Sequence, residues 1–450
     1  MSGIWPLENP AAEVETTAMR KVGARLIPFV ALLYFAAFID RVNVSFAGPQ
    51  MNRDLGFSPY VFGLGAGIFF LGYCLFEVPS NLILHKVGAR LWIGRIMITW
   101  SVLAGAMVFM RTPLSFYVLR FLLGAAEAGF FPGIVYYLTG WAPAAYRARL
   151  IGLFMTAIPL STALGAPLSG FILSLDGTFG LAGWRWLFLL ETVPSLALGL
   201  ATLVWLRDRP EQASWLTQHE KAWLARALED ERASRPAREG SVLRALTHPR
   251  VLALSACYFG AEIGLYGVIL WLPQILRNLG VSAADVGWAI AGPYVIAAVV
   301  MVWWCRHSDR TGERAWHIMI ASTAGFAGLA ASAFAPHSAV LSLAAITLGV
   351  VGTLSILPIF WTLPTALLDG AAAAGGIALI NALGNIGGFV GPFVVGWIKD
   401  RTGSYAPGLL VVAFGVLMTG IVALVFGRQG KTGPGSVPLR AIEQDQTTEP

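Results

Sequence analysis

Lys86-Val87-Gly88-Ala89-Arg90-Leu91-Trp92 and Arg310-Thr311-Gly312-Glu313-Arg314-Ala315-Trp316 share one pattern, basic-x-Gly-x-Arg-x-Trp, at a displacement of 224 residues. A second match has nearly the same displacement: Gly165-x4-Gly170-Phe171-Ile172 pairs with Gly391-x4-Gly396-Trp397-Ile398. Two agreeing offsets read as an internal duplication. Outward from these short motifs the chain is apolar. Of 450 residues 56% are hydrophobic and only 12% charged, and mean hydropathy is +0.67, whereas soluble domains carry about 25% charged residues. The composition excludes a soluble enzyme and predicts an integral membrane protein. The 50 Gly and 16 Trp fit close helix packing and interfacial anchoring in that solvent.

A helix needs about 20 residues to cross the hydrocarbon, and twelve such stretches are present. They run approximately 26–47, 60–84, 91–110, 113–138, 149–174, 184–206, 251–276, 284–305, 316–335, 338–361, 373–398 and 407–427. Residues 1–25 carry Glu8, Glu13 and Glu15 and lack an apolar signal core, so they read as an N-terminal tail. If that tail is cytoplasmic, 23 Lys and Arg fall on its side and 6 on the other, the bias that sets orientation. The expected protein is multi-pass in a cell membrane, taken as a bacterial inner membrane, with both termini cytoplasmic. The predicted organisation is a tail over 1–25, six spans over 26–206, a cytoplasmic central loop over 207–250, six spans over 251–427 and a second tail over 428–450. The central loop mixes 9 basic and 7 acidic residues along a partly helical pattern of Trp215, Leu216, Trp223, Leu224 and Leu228, and reads as a solvated amphipathic linker. The net charge of +6 lies in short loops and serves topology, so no nucleic-acid partner is expected. Cys74, Cys257 and Cys305 are too dispersed for a disulfide framework or a metal site.

Charged side chains inside the apolar spans point to function. Asp40 and Arg41 lie in the first span, Arg120 and Glu127 in the fourth, and each costs at least about 2.5 kcal/mol at a helix centre. At 1.5 Å per residue, Asp40 and Arg120 can share a level, with Glu127 two turns deeper than Arg120 on nearly the same face. The bland reading is two buried salt bridges that lock the helices together, yet such pairs stabilise poorly after desolvation. An uncovered guanidinium is instead a bidentate receptor for a carboxylate. Asp40 and Arg41 point about 100° apart, so one pairs internally and the other meets the substrate. Burial disfavours a charged carboxyl, and protonating Asp40 or Glu127 makes loading of an anion cheaper; proton and anion then travel together. Asn381 and Asn385 share one face of the eleventh span, as interhelical glue or as hydroxyl binders. Tyr73, Trp271 and Trp361 are cavity or packing aromatics. Glu77 and Glu191 read as structural, and Glu262 is left open.

Catalytic and energising motifs are missing from the sequence. None of the six His lies mid-span, and no HExxH or zinc-spaced Cys/His set occurs. Gly430-Lys431-Thr432 ends like a P-loop, but Val425 occupies the first glycine position. No cofactor or metal is expected, and gradient-driven or facilitated movement remains.

These features resemble the major facilitator superfamily, and more closely its anion:cation symporter family, which includes transporters for tartrate, phthalate, galactonate and hydroxyphenylacetate. The resemblance runs from about 20 to 427. It rests on Phe38-Ile-Asp40-Arg41-Val-Asn43-Val-Ser45, on Glu77-Val-Pro79-Ser80-Asn81 and on Arg120-Phe-Leu-Leu-Gly124-Ala-Ala-Glu127-Ala-Gly129-Phe-Phe-Pro132-Gly133. It continues in Gly183-Trp184-Arg185-Trp186, Asp208-Arg209-Pro210 and Asn381-x3-Asn385-Ile-Gly387-Gly388-Phe389-x-Gly391-Pro392. It implies an all-α fold of twelve helices in two six-helix bundles. It implies proton coupling through Asp40 and Glu127, and binding of the substrate carboxylate and switching salt bridges through Arg41 and Arg120. Tyr73, Trp361 and Asn381 match cavity positions, joined by Asn385 from the pattern above. Lys86, Arg90, Asp309, Arg310 and Arg314 lie in loops expected to brace the closed cytoplasmic end. The first-half motif lacks the acid usual there, whereas Asp309 retains it. Pro358-Ile-Phe360-Trp361 offers few hydroxyls, which favours a small or aromatic acid over a sugar acid. The expected function is proton-coupled uptake of a small organic anion such as tartrate by a monomer. The alternatives are an antiporter exporting a drug or metabolite, and a nontransporting anion sensor.

Overall fold

The computed structural model describes residues 10–234, 249–335, 338–367 and 371–427. The Gly430-Lys431-Thr432 motif, the tail over 428–450 and the middle of the central loop lie outside them. Twelve helices are long and apolar enough to cross a membrane. In the first half they are α1 Glu13–Leu55, α2 Pro59–Val87, α3 Ala89–Phe109, α4 Pro113–Thr139, α5 Ala145–Leu173 and α6 Gly183–Trp205. In the second half they are α7 Pro249–Ile269, α8 Ala284–Thr311, α9 Ala315–Phe334, α10 Ala339–Pro364, α11 Leu379–Thr402 and α12 Ala406–Phe426. Each overlaps one expected stretch. The expected seventh span ran too long: α7 ends at Ile269, and after Leu270 and Trp271 a separate helix Leu272–Asn278 begins. Twelve crossings return the chain to the face it started from, called here the terminal face; the opposite one is the far face.

Helix starts follow local chemistry. Ser58 caps α2, with Pro59 following it. Thr112 caps α4 through a reciprocal pair with Ser115, and Pro113 sits in the first turn, where its missing N–H costs nothing. The short links from α2 to α3 and from α8 to α9 turn on Gly88 (φ 96°) and Gly312 (φ 65°), the glycines of the repeated motif. Both positions need a left-handed backbone that only glycine adopts freely.

The helices form two six-helix bundles, and the duplication explains how they meet. The second helix of each half packs on the fifth of the other, α2 on α11 and α8 on α5. Gly63 and Gly287, 224 positions apart, make these contacts almost without side chains. A Cβ at Gly63 would stand 2.6 Å from the Pro392 carbonyl oxygen, and one at Gly287 would stand 2.4 Å from that of Ala166. The second repeated pattern lies on the partner helices. Gly396 faces Pro59 and Gly63, Gly170 faces Gly287, and Gly165 and Gly391 pack on Ile39 and Ile263 within their own bundles. Near the same level Asn52 Nδ2 donates to Gln274 Oε1 at 3.2 Å across the bundles, and Trp271 is fully buried with Nε1 donating to the Pro392 carbonyl at 3.0 Å. Trp271 therefore belongs to the sealed far face and is outside the lining of the central cavity.

This seal predicts a conformational effect. Gly63→Leu or Gly287→Leu forces side chain into backbone, and overpacking of that kind costs about 1–3 kcal/mol, enough to shift closure on the order of 10- to 100-fold. The variants should fold but rest open at the far face. In a background lacking the three native cysteines, Asn52→Cys should then react faster with a membrane-impermeant thiol reagent added from that side. Unchanged labelling would show that these glycines do not control closure.

The central loop is less solvated than its composition suggests. Its helix Gln218–Ser234 lays Leu224 and Leu228 into the protein, both buried, and Trp215 stacks on Trp141 of the first bundle at 5.6 Å between ring centroids. Lys21–Glu220 (2.8 Å) and Arg147–Glu231 (3.1 Å) fix it to that bundle.

Candidate functional site

α4 is two helices in line. The first, Pro113–Glu127, ends where Ala128 leaves helical geometry and Gly129 turns left-handed, and a second begins at Phe130. Gly129 is needed for two reasons: its φ of 85°, and a Cβ there would lie 2.4 Å from Ser80 Oγ. The break sets Glu127 on the last helical turn, buried and aimed at α1.

Arg41 meets it there. Its Nη2 is ion-paired with Glu127 Oε1, Nε donates to the same oxygen at 3.0 Å, and Nη1 donates to Tyr266 Oη of α7 at 2.9 Å. The guanidinium also lies over the rings of Tyr73 (5.3 Å) and Phe69 (5.6 Å). One cation thus holds an acid of its own bundle and a phenol of the other. A paired, hydrogen-bonded and aromatic-backed guanidinium is the form in which a charge is tolerated at this depth.

Arg41 opens onto a narrow cavity between the bundles, on the terminal-face side of the glycine seal. Among the described residues Arg41 is the one base in its lining. The first bundle contributes Tyr34, Phe38 and Tyr73; the second contributes Tyr258, Glu262, Tyr266, Trp361, Asn381 and Asn385. The cavity is an aromatic box with a guanidinium on one wall and carboxamides on another. Such a box suits a ligand with an anionic head and a flat or compact body.

The four intramembrane charges separate. Arg41 lines the cavity and Glu127 pairs with it from behind, outside the lining, forming one of the two buried bridges considered from sequence. Arg120, 1% exposed, turns away: Nη2 donates to the Ala66 carbonyl at 3.1 Å and Nε to that of Gly65 at 3.4 Å. Its guanidinium lies 4.8 Å from the Phe69 ring centroid, and it does not line the cavity. Asp40 also lies outside the cavity lining, against Trp100 Nε1 (3.0 Å) and Ser195 Oγ inside the first bundle. Asp40 and Arg120, put at a shared level from sequence, are joined by no hydrogen bond or ion pair among the described residues.

Tyr73, Trp361, Asn381 and Asn385 all reach the cavity. Of the acids not assigned to the site from sequence, one joins them and one meets Asn381 from outside the lining. Glu77, read as structural, accepts from Asn381 Nδ2 across the bundle boundary, and Cys74 nearby donates to the Ala382 carbonyl at 3.4 Å. Glu262, left open, lines the cavity. The signal for Glu77 was available: a carboxylate one turn beyond Tyr73 on the same helix face.

The loop residues form local ties only. Arg314 pairs with Asp309 at 2.7 Å and with Ser308 Oγ at 2.9 Å. The Arg90 N–H donates to Asp208 Oδ1 at 2.8 Å, so the acid absent from the first motif is supplied by the central loop. Among the described residues no hydrogen bond or ion pair joins Lys86 or Arg90 to Asp309, Arg310 or Arg314.

Comparison with known proteins places these features in context. The family model described as Major Facilitator Superfamily matches residues 30–392 and 252–446. A protein of Agrobacterium vitis named "Putative tartrate transporter" is 52% identical over 96% of this chain and 95% of its own. A quinolone resistance transporter of Acinetobacter baumannii is 41% identical, covering 93% and 97% of the two chains. A solved bacterial homologue of the human lysosomal transporter Spinster, inward-facing and unoccupied, superposes with a TM-score of 0.74 at 17% identity, covering 92% of this chain and 99% of that one.

Proposed function

Since the chain belongs to the Major Facilitator Superfamily, a family of membrane transporters and not of enzymes, we propose that it takes up a small organic carboxylate together with protons across a bacterial inner membrane. Alternating access about the midplane cavity carries the substrate, and both termini face the cytoplasm. The observation that carries this reading is Arg41, paired with the buried Glu127 behind it, at the wall of a cavity with no other base in its described lining.

The chemistry is an exchange of carboxylates. With Glu127 ionised, Arg41 is satisfied and offers an incoming anion little. A proton on Glu127 removes its claim on the guanidinium, and the substrate carboxylate takes the vacated N–H donors. The formal charge of the site is unchanged, because proton and anion enter together, and an uncompensated buried charge is avoided at every stage. Tyr266 follows Arg41 from the second bundle, so occupancy of the guanidinium is felt on both sides of the cavity. In this scheme Glu77 and Asn381 link the bundles while the far face is shut. Tyr73, Trp361 and Asn385 enclose the body of the ligand, and Asp40 is a second proton acceptor away from the ligand. Arg120 acts indirectly, by fixing α4 to α2, which sets where Glu127 stands. The loops of Lys86, Arg90, Asp309, Arg310 and Arg314 brace the opposite, outward-open state. The tartrate name of the Agrobacterium relative supports the choice of a hydroxy acid as first substrate.

Purified protein in lipid vesicles, energised by an inward proton gradient, should accumulate labelled tartrate or an aromatic acid from a panel of carboxylates. Accumulation indifferent to the gradient across that panel would sink the coupled scheme. A second reading, proton-driven export, is favoured by the quinolone resistance relative. Substrate efflux against a concentration gradient, with protons moving the other way, would select it.

A further inference from the structure

Asp40 and Arg41 are consecutive, so α1 presents them to different surroundings, and those of Asp40 contain another acid. Asp40, 2% exposed, accepts through Oδ2 from Trp100 of α3 and Ser195 of α6. One turn before Ser195, Glu191 is 4% exposed and accepts through Oε1 from Ser169 Oγ of α5 at 2.6 Å. Asn43, one turn along α1 from Asp40 and 1% exposed, faces Glu191, yet its Nδ2 makes no hydrogen bond of normal geometry. Asp40 Oδ1 and Glu191 Oε2 are both buried without a partner.

No Lys, Arg or His bonds either carboxyl among the described residues. The charged groups that bear on the pair are its own two members and Glu127 from α4. α3 and α5 contribute only Trp100 and Ser169. Two carboxylates in an apolar bundle without a counter-charge face a desolvation cost that neutral donors do not offset. A carboxyl O–H at each bare oxygen removes that cost, and like-charged neighbours favour sharing protons over ionising together.

We propose that Glu191 and Asp40 form a proton-binding site inside the first bundle, bounded by α1, α3, α5 and α6 and separated from the anion cavity by α1 itself. Loading and unloading of this site alters how α1 is held at the turn that carries Arg41 on its other side. The proposal deepens the proton-coupled reading by assigning a further coupling residue, Glu191, and rests on that reading only for its consequence in transport.

Infrared difference spectroscopy of the purified full-length protein between acidic and alkaline pH tests it without any substrate. The wild type should show protonated-carboxyl bands that respond to pH. Glu191→Gln, nearly isosteric, should lose one component and shift that of Asp40; Asp40→Asn should do the converse. Ser169→Ala, which keeps both acids, should move only the Glu191 component and guards against a folding defect in the other variants. In vesicles Glu191→Gln should retain substrate exchange at equal pH but accumulate less under a proton gradient. Spectra of Glu191→Gln identical to wild type would overturn the site. Wild-type uptake that ignores the proton gradient would instead defeat the transport scheme, with the infrared result still deciding whether Glu191 binds a proton.

Discussion

Arg41→Ala should lose substrate binding on the order of 100-fold or more, about 3 kcal/mol, the scale for truncating one partner of a buried, hydrogen-bonded charge pair. Arg41→Lys should recover little. The guanidinium reaches Glu127 through two nitrogens and Tyr266 through the third, while lying over Tyr73 and Phe69. An ammonium is a point charge that cannot span those directions together. The alanine variant also strands the Glu127 carboxylate in the protein interior, which costs about 3–5 kcal/mol. Arg41→Ala/Glu127→Gln should therefore regain much of the lost thermal stability without regaining binding. Calorimetric binding of a transported carboxylate, paired with thermal unfolding of both variants, separates the two effects. Binding by Arg41→Ala within a few-fold of wild type would remove Arg41 from the substrate site.

Glu127→Gln should split exchange from accumulation. The amide keeps the shape and, like a protonated acid, leaves the guanidinium free for a substrate carboxylate. Counterflow of labelled for unlabelled substrate at equal pH should persist. Proton-driven accumulation should collapse toward the equilibrium distribution, because no proton is taken up or released when the anion exchanges at Arg41. Both measurements use the same vesicle preparation, so protein amount and orientation cancel. Accumulation at the wild-type level would show that Glu127 carries no coupling proton, and would leave the Asp40–Glu191 pair as the remaining candidate.

The fold was readable because the bilayer imposes a length on apolar segments, and because two motifs repeated at matching offsets. The site was readable in part. Arg41, Glu127, Tyr73, Trp361, Asn381 and Asn385 could be marked because polar or large aromatic groups stand out in apolar helices. Which way each one faces was not readable. A helix in lipid is apolar toward its neighbours and toward the acyl chains, so its pattern carries little information about rotation. Arg120 therefore looked like a cavity residue although it binds α2 carbonyls, and the contacts of Asp40 with α3 and α6 were not foreseen. The bond of Glu77 to Asn381 across the bundle boundary was unreadable for the same reason. The duplication also hides an asymmetry: positions 264 and 265, the counterparts of Asp40 and Arg41 at the 224-residue offset, are Gly and Leu. At these two positions the second copy carries no charge.

The glycine contacts between α2 and α11 and between α5 and α8 bear on how cheaply the molecule can part there. Interlocked leucines would have to be drawn out of their sockets, and greasy surface would then meet water. At Gly63, Gly170, Gly287 and Gly396 peptide carbonyls and Cα–H groups come apart instead, and carbonyl oxygens regain hydration as they separate. A joint of this kind is tight when shut and gentle to wet, the pair of properties that the proposed alternating access asks of this surface.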